Sequence, residues 1–273
     1  MSTAQQPRSG FASINGAQIW YDVTGSGHPL VLTHAGIADH RMWDDQVAAF
    51  APHYQVIRWD MRGFGQTQMV AGSYSSRNDL YELLRFLGIE RTYLMGCSMG
   101  GSTIIDLTLE HPELVAALIP VAAGVNGFEY TGEPPKQFEE VDAACQAGDF
   151  ERASELEVQV WVDGPQRTPD QVDPHVRDKV RAMNLIALQA PEGLGKHESL
   201  APPAVGRLGE IKVPALLIVG DLDQPDVIRT ADLLAAEVPQ AQKVVMHGTA
   251  HLPNLEQPAE FNRIVLDFLG KLT

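Results

Sequence analysis

The chain carries, at positions 93–102, the stretch Tyr93-Leu94-Met95-Gly96-Cys97-Ser98-Met99-Gly100-Gly101-Ser102. An apolar, β-prone run ends at the first glycine, and a segment typical of a helix follows from Ser102 to Glu110. Gly96, Ser98 and Gly100 match the pattern G-x-S-x-G, a strand-to-helix turn that presents its serine. Glycine lets the chain pass close to itself, and the helix aims its N-terminal N–H groups at the serine. The stretch predicts a sharp turn with Ser98 at its apex, the alternative being an ordinary turn.

Strands and helices alternate on both sides of this turn. Strands are predicted at 11–14, 17–23, 29–33, 54–59, 92–95 and 114–122, and helices at 42–50 and 76–87. The alternation returns with strands at 213–219 and 243–246 and helices at 227–237 and 258–269. Such a rhythm is typical of βαβ units, so we expect an α/β fold with a mostly parallel sheet flanked by helices.

The rhythm breaks between residues 126 and 207, where no segment reads as a buried strand. Helices are predicted there at 136–147, 150–162 and 174–188. We interpret 126–207 as a helical cap over the carboxyl edge of the sheet, inserted into a core made of 1–125 and 208–273. Trp161, Met183 and Leu185 are expected to pack between the cap helices, and some of them to line a pocket for an acyl group.

The composition excludes several classes of function. The 273 residues include 20 Lys and Arg against 35 Asp and Glu, a formal charge of −15, which argues against binding nucleic acid or an anionic membrane. Two cysteines, Cys97 and Cys145, do not form a disulfide framework. The first ten residues lack the apolar run of a signal peptide. The sequence predicts a soluble cytoplasmic protein.

A serine hydroxyl needs a base to take its proton and an anion to orient that base. The chain offers candidates for both roles just past the ends of predicted strands: Asp223 or Asp221 as the anion, and His251 or His247 as the base. The two histidines are spaced H-x-x-x-H, which could bind zinc on a helix. Gly248 and the strand before it favour a loop, and no Glu follows His247, so a metal site is not expected.

Five motifs, taken together, resemble the α/β-hydrolase family of the esterase and lactonase type, including 3-oxoadipate enol-lactonase-like hydrolases. They stand in family order between residues 14 and 269, with the cap excepted: His34-Ala35-Gly36, Asp60-Met61-Arg62-Gly63-Phe64-Gly65, Gly96-Cys97-Ser98-Met99-Gly100-Gly101, Gly220-Asp221-Leu222-Asp223 and Gly248-Thr249-Ala250-His251-Leu252-Pro253.

The resemblance implies an α/β-hydrolase fold and a triad of Ser98, His251 and Asp223. The family places the acid three residues after the glycine that ends the strand, which selects Asp223 over Asp221. The resemblance also implies an oxyanion hole formed by two backbone N–H groups. Aligned on His34, these belong to Gly36 and Met99, although Ala35 stands where the family usually has glycine. No cofactor and no metal are implied.

We therefore expect a hydrolase that acts on a small-molecule ester or lactone through an acyl-enzyme, as a monomer or homodimer. Carbon–carbon bond hydrolysis and cofactor-free perhydrolysis would use the same triad and remain alternatives. A ligand-binding receptor that keeps the triad, or a hydrolase in which Ser98 is inactive, also remains open. The serine disfavours a dehalogenase or epoxide hydrolase with an aspartate nucleophile.

Other polar residues are expected to be structural. His34 is expected to hydrogen-bond backbone, Cys97 to be a packed thiol, and Arg58, Asp60 and Arg62 to brace a turn through an ion pair. In the last cap helix Arg177, Lys179 and Arg181 lie off the apolar stripe and are expected to face water. No base is then left beside Ser98 to bind a carboxylate, so neutral substrates should be preferred over anionic ones.

Overall fold

The computed structural model describes residues 8–191 and 193–272 and contains an eight-stranded sheet. Its strands are β1 (Arg8–Ile14), β2 (Ala17–Thr24), β3 (Pro29–Thr33), β4 (Gln55–Trp59), β6 (Thr92–Cys97), β7 (Val115–Val121), β9 (Ala215–Gly220) and β10 (Ala241–Met246). They lie in the order β1-β2-β4-β3-β6-β7-β9-β10. Only the β1–β2 and β2–β4 pairs of this sheet are antiparallel, which confirms the expected mostly parallel sheet.

The helices of the described residues follow the predicted alternation. They are α1 (Asp44–Phe50), α2 (Ser76–Leu87), α3 (Met99–Glu110), α4 (Gln137–Gln146), α5 (Phe150–Val158), α6 (Pro174–Leu188), α7 (Pro225–Glu237), α8 (Pro253–Glu256) and α9 (Pro258–Leu269). A 3₁₀ turn, His40–Trp43, takes the place of the first turn predicted for α1. Among the described residues no helix is long and apolar enough to cross a membrane.

Local sequence explains where several elements begin and end. Asn15 and Gly16 turn the β1–β2 hairpin with φ of 48° and 79°, the left-handed conformation that an Asn-Gly turn adopts. The Ser75 hydroxyl caps α2 by accepting a hydrogen bond from the Asn78 N–H. Gly88 ends the same helix in the left-handed region.

The central strands are buried on both faces. Along β3, Leu30 and Leu32 join the core cluster on one side, and Val31 joins the cluster on the other. Side chains of a strand alternate between faces, so a short continuous apolar run fits a strand covered on both sides. Because these strands run parallel, the loops at their carboxyl ends lie along one edge of the sheet.

The inserted segment, residues 126–207, contains α4, α5 and α6, as predicted, and no buried strand within its described residues. A π-helical turn, Gln159–Asp163, follows α5 where an unbroken helix was predicted. A second, parallel sheet of two short strands was not predicted: β5 (Gly72–Tyr74) pairs with β8 (Gly195–His197) of the inserted segment. The division into a core and a cap stays a prediction.

Candidate active site

Ser98 lies between β6 and α3 with φ 54° and ψ −115°, a conformation that costs energy for a residue with a side chain. Its N–H donates to the carbonyl of Val121 at 2.9 Å, and its carbonyl accepts from the N–H groups of Ser102 (3.0 Å) and Gly124 (3.2 Å). These three backbone bonds hold the strained turn in place.

Glycine is required on both sides of this serine. A Cβ on Gly96 would lie 2.4 Å from the carbonyl oxygen of Gly100, and one on Gly100 would lie 2.4 Å from the carbonyl oxygens of Thr33 and His34. These distances are far below van der Waals contact. The close crossing predicted from the G-x-S-x-G spacing is confirmed, and it places the start of α3 directly against the end of β3.

His251 and Asp223 form a buried pair at the same edge of the sheet. His251 Nδ1 lies 2.8 Å and 3.1 Å from the two carboxylate oxygens of Asp223, and both side chains are at most 3% exposed. The N–H of Gln224 also donates to the carboxylate at 2.7 Å. A carboxylate can only accept, so Nδ1 carries a proton, and in the neutral imidazole Nε2 is then an acceptor. Of the two acids that the sequence offers, Asp223 is therefore the partner of His251.

A cavity of about 840 Å³ is bordered by both Ser98 and His251. Within the described part of the chain, no hydrogen bond joins the Ser98 hydroxyl to the imidazole. The apolar wall of the cavity includes Val125, Tyr130, Phe138, Trp161 and Val227. The charged residues that border it are acidic, Glu133 and Asp226, and no Lys or Arg is among the described residues that line it.

Gly36 and Met99, the two predicted oxyanion donors, lie side by side. A Cβ built on Gly36 would be 3.7 Å from atoms of the Met99 side chain. Met99 is the first residue of α3, where N–H groups have no partner in the helix. Neither amide donates a hydrogen bond to another group of residues 8–191 and 193–272. Met99 borders the cavity, whereas Gly36 is not among the residues that line it.

His247 and Asp221, the rival candidates, form a separate pair. His247 Nδ1 lies 2.8 Å from Asp221, whose other oxygen accepts from the Gly248 N–H at 2.7 Å. The His247 side chain is 86% exposed, whereas that of His251 is 3% exposed. The H-x-x-x-H spacing therefore does not direct both histidines to one point.

One described group of side chains, outside the cavity, has the spacing of metal ligands: Asp39, His40 and Asp60. Its members already have protein partners. Nδ1 of His40 lies 2.8 Å from Asp60, and Asp39 is bound by Arg41 at 2.6 Å. Nothing further points to a metal there.

His34 is structural, as expected. Its ring contacts the Ala35 carbonyl through Nδ1 at 2.8 Å and accepts the Met61 N–H at Nε2 at 2.9 Å. Complete burial lowers the pKa of His34, so the ring stays neutral. Cys97 is a buried thiol whose pKa is raised by burial, and its Sγ lies 3.6 Å from the carbonyl oxygen of His251.

The expected ion pair within the Asp60 motif is wrong. Arg58 pairs with Asp22 and Asp44, and Arg62 pairs with the buried Asp79 at 2.7 Å. Asp60 accepts hydrogen bonds from His40 and Gln66 instead. The residues do brace this region, but the carboxylate partners of both arginines lie outside the Asp60 motif.

Arg177 does not face water, contrary to the expectation. Its side chain is 12% exposed and pairs with Glu155 at 2.6 Å and Asp163 at 2.8 Å. Lys179 and Arg181 are half-buried and pair with acids as well. None of the three borders the cavity. A neighbouring cavity that shares Met99 and Ser102 with it is lined by Arg62 and Arg77, so the expectation that no basic side chain lies beside Ser98 stays a prediction.

Trp161 belongs to the site, whereas Met183 and Leu185 do not border the cavity. The indole ring lies against the imidazole of His251, and the Trp161 carbonyl accepts the His251 N–H at 3.3 Å. The sequence identified Trp161 as a candidate for the acyl pocket, but no local signal indicated its contact with the base.

A family model described as the alpha/beta hydrolase fold matches residues 28–258. The chain belongs to the α/β-hydrolase family. Among curated proteins it is similar to a pimeloyl-[acyl-carrier protein] methyl ester esterase of Aeromonas hydrophila, with 29% identity over 263 residues, 90% of this chain and 97% of that protein.

Two solved structures share the fold of this α/β-hydrolase. The enol-lactonase from Burkholderia xenovorans LB400 has a TM-score of 0.78 and 24% identity, over 95% of this chain and 99% of that one. A thermophilic esterase from Thermogutta terrifontis has a TM-score of 0.77 and 23% identity, over 98% and 99% of the two chains. The family match and the full-length likeness to an esterase support an esterase-like hydrolase.

Proposed function

We propose that this protein is a serine hydrolase that cleaves a small carboxylic ester or lactone through an acyl-enzyme intermediate. The observation that carries the proposal is the buried pair of His251 and Asp223 at the wall of a cavity that Ser98 also borders. A histidine with Nδ1 held by a carboxylate and Nε2 free is arranged to take a proton from a nucleophile.

In the first half of the reaction, Nε2 of His251 takes the hydroxyl proton of Ser98 as Oγ attacks the carbonyl carbon. Asp223 stabilises the imidazolium that results, which then gives its proton to the leaving oxygen as the ester bond breaks. A water molecule attacks the acyl-enzyme with His251 again as base, which frees the acid and restores Ser98. The bond between Ser98 and His251 is expected to form when substrate binds, because such contacts are often loose in the free enzyme.

The amides of Gly36 and Met99 are suited to hold the oxyanion of the tetrahedral intermediate. Met99 follows Ser98 in the chain, its side chain lies against Gly36, and neither amide has a hydrogen-bond partner among the described residues. Loss of one donor of this kind costs about 2.7–4 kcal/mol of transition-state stabilisation.

The cavity favours a neutral substrate with an apolar acyl or lactone portion. Its wall is largely apolar, its charged border is acidic and the whole chain carries a formal charge of −15. The names of the full-length relative and of the structural neighbour, a methyl ester esterase and an enol-lactonase, accord with an ester or lactone carbonyl.

The test is turnover of a panel of neutral nitrophenyl esters and lactones by the wild type and three variants. Ser98→Ala and His251→Ala should each lower kcat by about 10³-fold or more. His247→Ala, in the same loop, should keep most activity, and chelators should have no effect. Full activity of Ser98→Ala would overturn the proposal. Ligand binding with no turnover of any ester would favour the receptor alternative, and peroxide-dependent or carbon–carbon cleavage alone would favour the other two.

A further inference from the structure

The π-helical turn Gln159–Asp163 contacts the loops that carry both the acid and the base. The Trp161 carbonyl accepts the N–H of His251 at 3.3 Å. The Val160 carbonyl accepts the side-chain amide of Gln224, the residue after Asp223, at 2.8 Å. Carbonyls near the end of a helix lack partners within the helix, so they can serve as acceptors for neighbouring loops.

Arg167 joins the end of this turn to the loop that carries His251, residues 247–252 between β10 and α8, which we call the histidine loop. Its Nε donates to the carbonyl of Asp163 at 2.8 Å, and Nη2 donates to that of Val162 at 2.7 Å. Nη1 binds the carboxylate of Glu256 at 2.6 Å and lies 3.3 Å from the carbonyl of Gly248. One guanidinium therefore holds two carbonyls of the inserted segment and two acceptors of the core.

Glu256 completes the link to the base. Its second oxygen accepts the N–H of Ala250, the residue before His251, at 2.7 Å. The side chains of Arg167 and Glu256 are 12% and 7% exposed. A buried carboxylate whose two oxygens bind Arg167 and the Ala250 N–H fixes the backbone immediately before His251.

We propose that Arg167 and Glu256 are positioning residues that hold His251 in place by tying its loop to the inserted segment. The inference rests on the proposed function, because it assigns them a role in the reaction of His251. Neither residue borders the cavity, so they act through the histidine loop and not on the substrate.

The pair also sets part of the charge near the base. The titratable groups around His251 are Asp223, the Glu256–Arg167 pair and the neutral thiol of Cys97, with the exposed Asp221–His247 pair beyond Gly248. Burial raises the pKa of Glu256, and Arg167 opposes that rise. Removal of the Glu256 charge leaves the Arg167 cation without its anion, and both changes disfavour a protonated imidazole.

Glu256→Gln should therefore move the acidic limb of the kcat/KM profile to lower pH. Its kcat should fall by about tenfold or more with a smaller change in KM, because small misplacements of a catalytic group cost up to ~10²-fold. In Arg167→Met/Glu256→Gln the stranded cation is gone, so the limb should return toward the wild-type position while kcat stays low.

Arg77→Met is the matched control. The Arg77 side chain is 14% exposed and, like Arg167, binds a carboxylate and a backbone carbonyl, those of Glu110 and Glu198, but it contacts neither the π-helical turn nor the histidine loop. It should leave the acidic limb in place. Denaturant unfolding of each variant separates loss of stability from loss of positioning.

A titration of the His251 ring by NMR gives a second readout that needs no turnover. It should show the same shift to lower pH in Glu256→Gln and its reversal in the double variant. An unmoved ring titration together with kcat within about twofold of wild type would overturn the positioning role. Absence of serine-dependent turnover in the wild type would instead overturn the proposed function, and the NMR titration would still decide the role of the pair.

Discussion

The indole ring of Trp161 lies against the imidazole of His251, with 4.6 Å between the ring centroids and 39° between the planes. Trp161 comes from the inserted segment and His251 from the loop after β10, so the contact joins two distant parts of the chain. An aromatic face against a base excludes water from one side of it. The inserted segment thus forms part of the surroundings of the base in addition to part of the cavity wall.

Asp223→Asn should lose far more activity than Asp221→Asn. Only Asp223 holds Nδ1 of His251. An amide in its place can favour the wrong tautomer of the imidazole, and the same substitution in a serine protease triad lowers kcat by about 10⁴-fold. Asp221 holds the exposed His247 and the Gly248 N–H, so its variant should keep activity within about tenfold. Steady-state kinetics of both variants check this, and the reverse order would mean that the acid is misassigned.

Gly36→Ala and Gly100→Ala should differ sharply in stability. A Cβ on Gly36 meets only ordinary contacts, at 3.7 Å, and the N–H is kept, so fold and activity should survive. A Cβ on Gly100 would lie 2.4 Å from two carbonyl oxygens, which should lower the free energy of unfolding by several kcal/mol, ~3 or more. Urea unfolding compares them. A Gly100→Ala protein as stable as wild type would contradict the close crossing.

Asp106→Asn should stabilise the protein in a pH-dependent way. Asp106 is buried with one carboxyl oxygen unpartnered among the described residues, and burial raises its pKa to about 6, against ~3.9 in an unfolded chain. The stability it contributes is fully present below about pH 3.9 and is lost as the pH rises through its folded pKa.

The asparagine variant cannot ionise. Its free energy of unfolding should therefore exceed that of the wild type by on the order of 2–3 kcal/mol above about pH 6.5, and the difference should disappear near pH 4. Unfolding curves at the two pH values measure the difference, with the exposed Asp232→Asn as control. An equal difference at both pH values would show that Asp106 titrates normally.

Neutral lactones should be better substrates than anionic ones. The described cavity lining has acidic residues and no Lys or Arg, and the net charge of −15 repels anions. We expect a higher kcat/KM for a lactone bearing a primary amide than for its carboxylate counterpart. Added salt should narrow the gap, since screening shortens the repulsive field. A carboxylate lactone that reacts faster, with salt slowing it, would place an unrecognised cation in the site.

Elements with strong local signals could be predicted from the sequence. The helices Ser76–Leu87, Pro174–Leu188 and Pro258–Leu269 have the predicted bounds, since caps and prolines mark their ends within a few residues. The turn at Ser98 could likewise be predicted, because the spacing of its glycines is a local signal. The Asp223–His251 pair needed more than local pattern, because the resemblance to the family chose between neighbouring acids.

Features that depend on distant partners could not be predicted. The strands β5 and β8 have three residues each and pair across more than a hundred positions, so neither has a periodicity of its own. The sequence predicted Arg62 to be a turn residue and Arg177 to face water, because their partners, Asp79 on α2 and Glu155 on α5, lie on separate elements. Long-range ion pairs leave no local pattern, and the contact of Trp161 with His251 is of the same kind.

The most direct test of the account is to map the residue modified by a fluorophosphonate in the active protein. The reagent phosphonylates a serine activated by a neighbouring base, so a single adduct should appear on the peptide that contains Ser98 as ester hydrolysis stops. His251→Ala should prevent labelling while His247→Ala should not. An adduct on another residue, or complete inactivation with Ser98 unmodified, would contradict the assignment of Ser98 as the nucleophile.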